Sequence, residues 1–503
     1  MRCGSLFVVV VVLAGCPGGD GTLGDHCGDS GDCTSSLQCV AATCVPRCVR
    51  APDCGDGYSC DKDGICRAAT GQLGDSCMTE VDCAAGLACE LEGSATDASG
   101  HLVASCVAEN PAAPAGSVCA TDAECRNGTC ALGHCVDLCS ATRDCAAGTS
   151  CALIPRVEAG GTTFAGCLQT RGVLRWALPV HGPSDTVYLP IPDSARSVAV
   201  TFAVEDPNQL VGASSVAALD GTPLVTDDPV AYYTNPVRHK LALGQSVLAM
   251  PSTPDYLLQA GMYTMHVESR RLAGAGPATP TATAVVKLDS SVILDLHFYF
   301  LNFDEHPCAD SFAGGLNATA ASTASFFQTD YLGMLRSVFA HGGIALGTLT
   351  YEDLRDHPDL DALDLANAPA LLALGKHAVG VNVFFVRSLS PVGLQAFAPT
   401  PGPAGLAATR GSGIVIGLDT LCYEPHGWQD VARLTAHELA RYMGLYDIVE
   451  IDDTTAFPKR DPITHDHDAN VTPSANLMFY SELGGTDLTD GQRNILGRSA
   501  VLR

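Results

Sequence analysis

A segment near the C-terminus, LTAHELARYMGLYD (434–447), carries residue types that bind metal ions. His437 and Glu438 are adjacent, and Asp447 follows ten residues after the histidine. Imidazole and carboxylate groups are common zinc ligands, and a carboxylate can also act as the general base of a zinc-bound water. One helical turn after His437 stands Arg441, whose guanidinium stays protonated and offers no lone pair to a metal. The segment therefore indicates zinc-dependent hydrolysis and contradicts it at one position.

The elements that would position these residues can be read from periodicity. The run GWQDVARLTAHELARYM predicts a helix that stops at Gly444. An earlier run (325–343) has apolar residues at helical spacing and predicts a second helix that ends at Gly342. Its apolar stripe consists of Phe327, Tyr331, Leu335, Val338 and Phe339. The runs VILDLHFYFL (292–301), IALGTLTY, GVNVFFVRSL and GIVIGLDTL predict strands, so we expect one compact α/β unit.

The spacing of the motif resembles that of metzincin zinc peptidases, HExxHxxGxxH/D, with Gly444 and Asp447 in register. The segment NLMFY (476–480) resembles the Met-turn of that family, and the flanking runs DPITHD (461–466) and LTDGQRNIL (488–496) are most similar to the pappalysin-like branch. The resemblance covers about 210 residues, and it implies peptide-bond hydrolysis. The implied roles are zinc ligation by His437 and Asp447, general-base catalysis by Glu438, support of the metal by Met478 and oxyanion stabilisation by Tyr480.

Arg441 occupies the position of the family's second zinc ligand, and two interpretations stay open. In the first, the site is dead, because Arg441 pairs with Glu438 or Asp447 and its cation replaces the charge of the metal. In the second, another histidine completes the shell, the candidates being His465, His467 and His426. We favour a zinc metalloendopeptidase domain with impaired catalysis. The alternative is a non-catalytic pseudo-peptidase that binds protein or peptide partners.

Twenty of the 24 cysteines lie between Cys27 and Cys167 and form five quartets of similar spacing. The quartets are Cys27, Cys33, Cys39, Cys44; Cys48, Cys54, Cys60, Cys66; Cys77, Cys83, Cys89, Cys106; Cys119, Cys125, Cys130, Cys135; and Cys139, Cys145, Cys151, Cys167. Segments this small need covalent cross-links in place of a core, and the five-residue gaps are unlike zinc knuckles. We expect disulfides within each quartet, with a connectivity that spacing does not reveal. The repeats resemble Dickkopf-type cysteine-rich modules, which implies a spacer or protein-binding role.

The first sixteen residues, MRCGSLFVVVVVLAGC, have the charge and apolar run of a secretory signal. LAGC resembles the lipobox of bacterial lipoproteins, which implies cleavage before Cys16 and an acyl anchor on that residue. The alternative is plain secretion with an incidental cysteine. The dense cysteines also predict an oxidising compartment. We therefore expect an exported protein that is anchored to the bacterial cell envelope, at the outer membrane or cell surface.

The remaining features predict structure rather than chemistry. Short β-branched runs divided by turn residues predict a β-sandwich between the cysteine repeats and the α/β unit. Cys308 and Cys422 are expected to pair with each other. The acidic run 450–461 could bind calcium but fits a solvated loop better, and the Gly-rich loop 402–413 is expected near the rim of the substrate cleft. With 28 basic against 55 acidic residues and a net charge of −27, nucleic acid is excluded as a partner.

The sequence thus predicts a multidomain protein of four parts. These are a lipoprotein signal peptide (1–15), a cysteine-rich repeat region (16–170), a β-sandwich accessory domain (171–289) and an α/β metzincin-like, or zincin, domain (290–503). Expected partners are a protein or peptide and, through the anchor, a membrane. Zinc is the implied cofactor, and Arg441 argues against it.

Overall fold

The computed structural model describes most of the chain from residue 25 onward. The described ranges are 25–34, 37–40, 42–48, 58–60, 66–97, 100–225, 235–239, 241–272, 276–301, 308, 315–422, 426–447, 449–450, 459–460, 473–479 and 484–503. The signal segment and Cys16 lie outside these ranges. Within them, the chain is a sheet-rich multidomain protein with a disulfide-rich N-terminal region and few helices. The described helices include none that is long and apolar enough to cross a bilayer.

The cysteine-rich region consists of two-stranded antiparallel hairpins. Its strands are β1 (Leu37–Val40), β2 (Thr43–Pro46), β3 (Tyr58–Cys60), β4 (Cys66–Ala68), β5 (Leu87–Thr96), β6 (Leu102–Ala108), β7 (Cys130–Ala131), β8 (His134–Cys135), β9 (Thr149–Pro155) and β10 (Thr163–Gln169). In four quartets the first cysteine bonds to the third and the second to the fourth. The expected pairing within quartets is confirmed there. In the remaining quartet, Cys48 and Cys66 each take part in a disulfide bond as well.

Two four-stranded antiparallel sheets follow and share one apolar core, in the manner of a β-sandwich. The strands are β11 (Val173–Leu178), β12 (Ser184–Ile191), β13 (Ser197–Ala203), β14 (Gln209–Ala217), β15 (Ala242–Leu243), β16 (Gln245–Met250), β17 (Gly261–Arg271) and β18 (Thr281–Lys287). One sheet has the order β11-β18-β13-β16 and the other β12-β17-β14-β15. Alternation along β11 places Leu174 and Trp176 in the core and leaves Arg175 exposed.

A five-stranded sheet with helices forms the C-terminal part, and its order is β20-β19-β22-β25-β24. All neighbours are parallel except β24, which runs antiparallel to β25. The elements are β19 (Ile293–Phe300), α1 (Ala318–Thr323), α2 (Leu332–His341), β20 (Ala345–Asp353), β21 (Ala362–Asp364), α3 (Ala368–Leu372), β22 (Val381–Val386), β23 (Ser388–Ser390), β24 (Ala396–Phe397), β25 (Ile414–Gly417), α4 (Trp428–Tyr442), β26 (Val449–Glu450), β27 (Lys459–Arg460) and α5 (Asp490–Arg498). Cys308 and Cys422 form the expected disulfide.

The helix predicted over 325–343 is not uniform. Residues Phe326–Tyr331 form a π-helical turn, and the regular α-helix α2 begins only at Leu332. The wider turn inserts an extra residue into the helical ladder, which apolar periodicity does not reveal. The predicted stripe is nevertheless fully buried, with Phe327 and Tyr331 both at 0% exposure.

The sandwich is packed directly onto the C-terminal part. The buried Lys287 donates through Nζ to the carbonyl of Leu502 at 2.7 Å, and Val285 belongs to the apolar core that contains α2 and α4. Ser197 donates to the carbonyl of Arg498 at 2.5 Å. The two regions therefore share buried polar and apolar contacts, and a side chain of one can act on the site of the other.

Candidate metal site and its ion network

Helix α4 supplies the motif and is held firmly at its first turns. Asp430 accepts a hydrogen bond from the backbone amide of Gly427 at 2.9 Å, which satisfies a donor at the helix N-terminus. In the middle of the helix, the hydroxyl of Tyr331 donates to Thr435 Oγ1 at 3.1 Å. Apolar packing against α2 buries the same face. His437 and Glu438 therefore project from a fixed helix into the protein interior.

The turn after α4 brings Asp447 back toward the helix. Gly444 has a φ of +113°, a conformation that side chains with a Cβ rarely adopt. The amide of Leu445 then donates to the carbonyl of Ala440 at 3.0 Å, which closes the turn. Gly444 thus ends the helix as the sequence predicted, and its positive φ explains why a glycine occupies this position.

An ion network joins three of the predicted site residues. His437 Nε2 lies 3.1 Å from Asp447 Oδ1, and Arg441 Nη1 lies 3.3 Å from Asp447 Oδ2. The side chain of Asp447 is 14% exposed and that of His437 is 10% exposed. One carboxylate therefore binds two cationic groups, and the Arg441–Asp447 pair that the sequence suggested is present.

The other ring nitrogen of His437 is also engaged. Nδ1 lies 2.8 Å from the carbonyl oxygen of Leu477. A carbonyl only accepts hydrogen bonds, so Nδ1 carries a proton, while Nε2 faces the Asp447 carboxylate. Burial alone would lower the pKa of His437, but its hydrogen bond to Asp447 and the nearby carboxylate of Glu438 together raise it. The two carboxylates thus favour the protonated, cationic form of His437.

The two acidic residues of the motif differ in protonation. Burial raises the pKa of Glu438, and the Arg441 guanidinium only partly opposes that effect. Burial would also raise the pKa of Asp447, but its hydrogen bond from His437 and the charge of Arg441 bring it below the ordinary value. Asp447 is thus the more acidic of the two carboxyl groups.

Met478 lies on the segment that passes beneath His437. Its side chain is fully buried, and its amide donates to Asn476 Oδ1 at 2.8 Å. The Asn476 amide group donates in turn to Gln492 Oε1 at 2.8 Å, and Gln492 lies on α5. This pair of amides holds the segment, so that the Leu477 carbonyl can accept from His437. The sequence predicted Met478 here but not the supporting amides.

Arg238 of the sandwich is a site residue that the sequence did not predict. Its Nη1 donates to the carbonyls of Gly444 and Leu445 at 2.9 and 2.5 Å, and its guanidinium lies 3.7 Å from the ring centre of Tyr446. Its charge also contributes to lowering the pKa of Asp447. A residue about 200 positions upstream thus holds the turn that carries Asp447. No local pattern around Arg238 could have indicated this contact.

Other predicted residues lie elsewhere or outside the described ranges. His426 Nδ1 lies 3.8 Å from Asp430 Oδ2 at the start of α4, and Asp430 is seven residues, or roughly 10 Å of helix, before His437. The loop 402–413 meets the other end of α4, where the Tyr442 hydroxyl donates to the carbonyl of Pro403 at 2.9 Å. His465, His467, Tyr480 and most of the acidic run 450–461 are outside the described residues.

Among the described residues the donor set is incomplete for zinc, because Arg441 at the second ligand position offers no lone pair. His437 Nδ1 donates to the Leu477 carbonyl, which leaves Nε2, facing Asp447, as the nitrogen that could bind a metal. Asp447, the second predicted ligand, has one oxygen toward His437 and the other toward the guanidinium of Arg441. Four cysteine clusters also bring sulfur atoms within 4.8 Å of one another, but these cysteines are disulfide-bonded and provide no thiolate.

Comparison with known proteins assigns no family to the chain. No protein-family model matches it, and no curated protein matches it. Its function has to be argued from its own residues and their geometry.

Proposed function

We propose that residues 290–503 form a metzincin-like, pappalysin-type domain in which an internal ion network replaces the catalytic metal. In this proposal the protein is exported and binds protein or peptide partners rather than cleaving them. Two features support the family: the motif lies on a buried helix that ends at a glycine turn, and Met478 lies on the segment that contacts His437.

The observation that carries the proposal is the position of Asp447 between two cations. His437 and Arg441 approach its two oxygens at 3.1 and 3.3 Å. An imidazolium and a guanidinium together carry the charge of a divalent metal, and they balance the same buried carboxylate. The site therefore keeps the electrostatics of a metal centre without a ligand set for the metal.

The expected location follows from the same chain. Eight disulfides in the described cysteine repeats are typical of an oxidising compartment outside the cytosol. The lipobox-like LAGC would add an acyl anchor at Cys16, so that the repeats act as a cross-linked stalk between the cell envelope and the partner-binding domains.

A zinc metalloendopeptidase is the second candidate, and the convergence of His437 and Asp447 favours it. Zinc would have to displace the proton on His437 Nε2 and separate Asp447 from Arg441. A third ligand would have to come from elsewhere, with His465 and His467 the predicted candidates. These demands make it the weaker candidate.

Zinc titration of the purified exported chain separates the two. We expect no stoichiometric zinc by calorimetry at micromolar protein and no cleavage of a casein substrate. The Arg441→His variant restores the missing imidazole and removes one cation, so it should gain one zinc per chain. One zinc bound by the natural chain and lost in His437→Ala would contradict the proposal.

A further inference from the structure

A groove of about 1080 Å³ lies where the three regions of the chain meet. Its walls come from the fourth cysteine repeat, from strands β11 and β12, and from loops 378–379 and 405–406 of the C-terminal part. We call it the junction groove. Its volume is at the upper end of the range for ligand sites.

The walls of the junction groove are mainly apolar. Val118, Tyr188 and Val379 line it and are 77%, 47% and 48% exposed. Large apolar side chains on three different regions, exposed around one concave surface, are typical of a site that another chain covers.

The groove is also preformed. Cys119 and Cys130 line it and are joined by a disulfide, and Pro155, Pro179 and Pro190 stiffen the neighbouring wall. A rigid site loses little conformational entropy when a ligand binds, so even a short segment can bind usefully.

One arginine of the groove, Arg175, has a guanidinium group that a ligand can reach. Arg156 is 9% exposed and pairs with Asp122 and Glu158 at 2.6 and 3.6 Å. Arg175, in contrast, is exposed and donates through Nη1 to the carbonyl of Gly405 at 3.0 Å, with no ion pair to any carboxylate of the described residues. An exposed guanidinium without a carboxylate partner pairs best with a carboxylate of a ligand.

The surface around Arg175 suits an extended peptide. β11 is the edge strand of its sheet, and its residues 173 and 175–178 all line the groove, so the strand runs along the wall for its length. An apolar wall along this strand, with the exposed Arg175 on it, matches a segment that alternates aliphatic and acidic side chains.

We propose that the junction groove binds an extended peptide segment whose aliphatic side chains cover Val118, Tyr188 and Val379 and whose carboxylate pairs with Arg175. The inference rests on the proposed function as a binding protein. It places the partner at the meeting point of the three regions, away from His437.

A phage-displayed library of random twelve-residue peptides tests the charge selection. Selection on the full exported chain should enrich sequences that combine aliphatic residues with Asp or Glu. Selection on the Arg175→Glu variant should instead enrich Lys or Arg at the acidic position. Arg410→Glu is the matched control, because Arg410 also donates to a carbonyl of another region, that of Glu205 at 3.2 Å, but lies outside the groove.

The best enriched peptide, synthesised with a fluorophore, gives the size of the effect. Fluorescence anisotropy should show a loss of affinity of about tenfold or more for Arg175→Ala, the strength of a charge-assisted pair. Val379→Ser should weaken binding less, and Arg410→Ala should not change it. Thermal unfolding of each variant shows that it is folded.

Three results would overturn the inference: no enrichment, enrichment without acidic residues, or an affinity that Arg175→Ala leaves unchanged. Zinc titration and casein cleavage test the proposed function separately from peptide binding. A chain that binds zinc and cleaves casein, and whose peptide binding still depends on Arg175, refutes the first proposal and keeps the second.

Discussion

The cysteine-rich repeats and the C-terminal domain both contain clustered residues that could hold a metal, and both satisfy those residues internally. In the repeats, cysteine sulfurs lie within 4.8 Å of one another but are bonded in pairs. In the C-terminal domain, His437 and Asp447 lie 3.1 Å apart, and Arg441 contacts the same carboxylate. The two regions differ in how these residues are paired. The cysteines form covalent disulfide bonds, whereas the C-terminal residues form a buried ion network.

This difference matters for stability. The small clusters inside the first, second and fourth repeats consist largely of the cysteines themselves. The C-terminal domain has a large apolar core, in which the network is one local feature. Removing a cross-link should therefore unfold a repeat, whereas removing a charge should destabilise a domain that otherwise holds together.

The largest effect is expected from Asp447→Ala. The substitution leaves the cations of His437 and Arg441 buried without their common anion, which should lower the free energy of unfolding by about 3–5 kcal/mol. Chemical denaturation of the exported chain measures it. Asp430→Ala is the control, because Asp430 is 46% exposed and contacts His426 and the N-terminus of the same helix, where a cap is worth about 1 kcal/mol. Equal losses in the two variants would mean that the network does not stabilise the site.

The next largest effect is expected when a repeat loses a cross-link. The double substitution of Cys125 and Cys135 by Ser should cost about 2–4 kcal/mol. The fourth repeat should then become the first site of limited proteolysis, since cysteines make up most of the cluster inside it. The matched variant, with Ser at Cys308 and Cys422, should keep its sheet protected, because the apolar core remains. Protection of the fourth repeat in the first variant would contradict this contrast.

A pH-dependent effect is expected from a buried acid between two repeats. Burial, with the nearby charge of Asp137, raises the pKa of Glu80 from an ordinary 4.5 to about 8. Between those pH values the folded repeats hold a proton that the unfolded chain releases, so stability falls as pH rises through this window. Glu80→Gln should reduce the slope and be more stable than the natural chain at pH 8.5.

Unfolding of both proteins at several pH values between 4 and 9 tests this expectation. Glu92→Gln, at an exposed glutamate of β5, is the control and should keep the slope of the natural chain. Parallel stability curves for the natural chain and Glu80→Gln would contradict the assignment.

Much of the candidate site could be predicted because its signals are local. The helix α4, its end at Gly444 and the later Asp447 follow from the spacing of residues within one short segment. Pairing within cysteine quartets follows from the small size of the repeats. The sequence offers Glu438 and Asp447 as partners of Arg441, because both lie close to it in the chain. The structure shows the pair with Asp447.

Other features could not be predicted, because they join residues far apart in the chain. Arg238 contacts the turn at Gly444 and Leu445 across about 200 positions. The junction groove is lined by residues of three regions of the chain. The connectivity of each quartet depends on which hairpin positions face each other, and spacing alone leaves several pairings open.

The sequence by itself determined which side chains were available: a histidine, two carboxylates and an arginine on one helix and its turn, and cysteines in fours. Only the tertiary structure decided that the arginine and the histidine share one carboxylate, and that Arg238 of another domain holds the turn in place. The physical reason is that local spacing sets which groups can meet, whereas burial and long-range packing set their charge, their partners and whether any remain for a ligand.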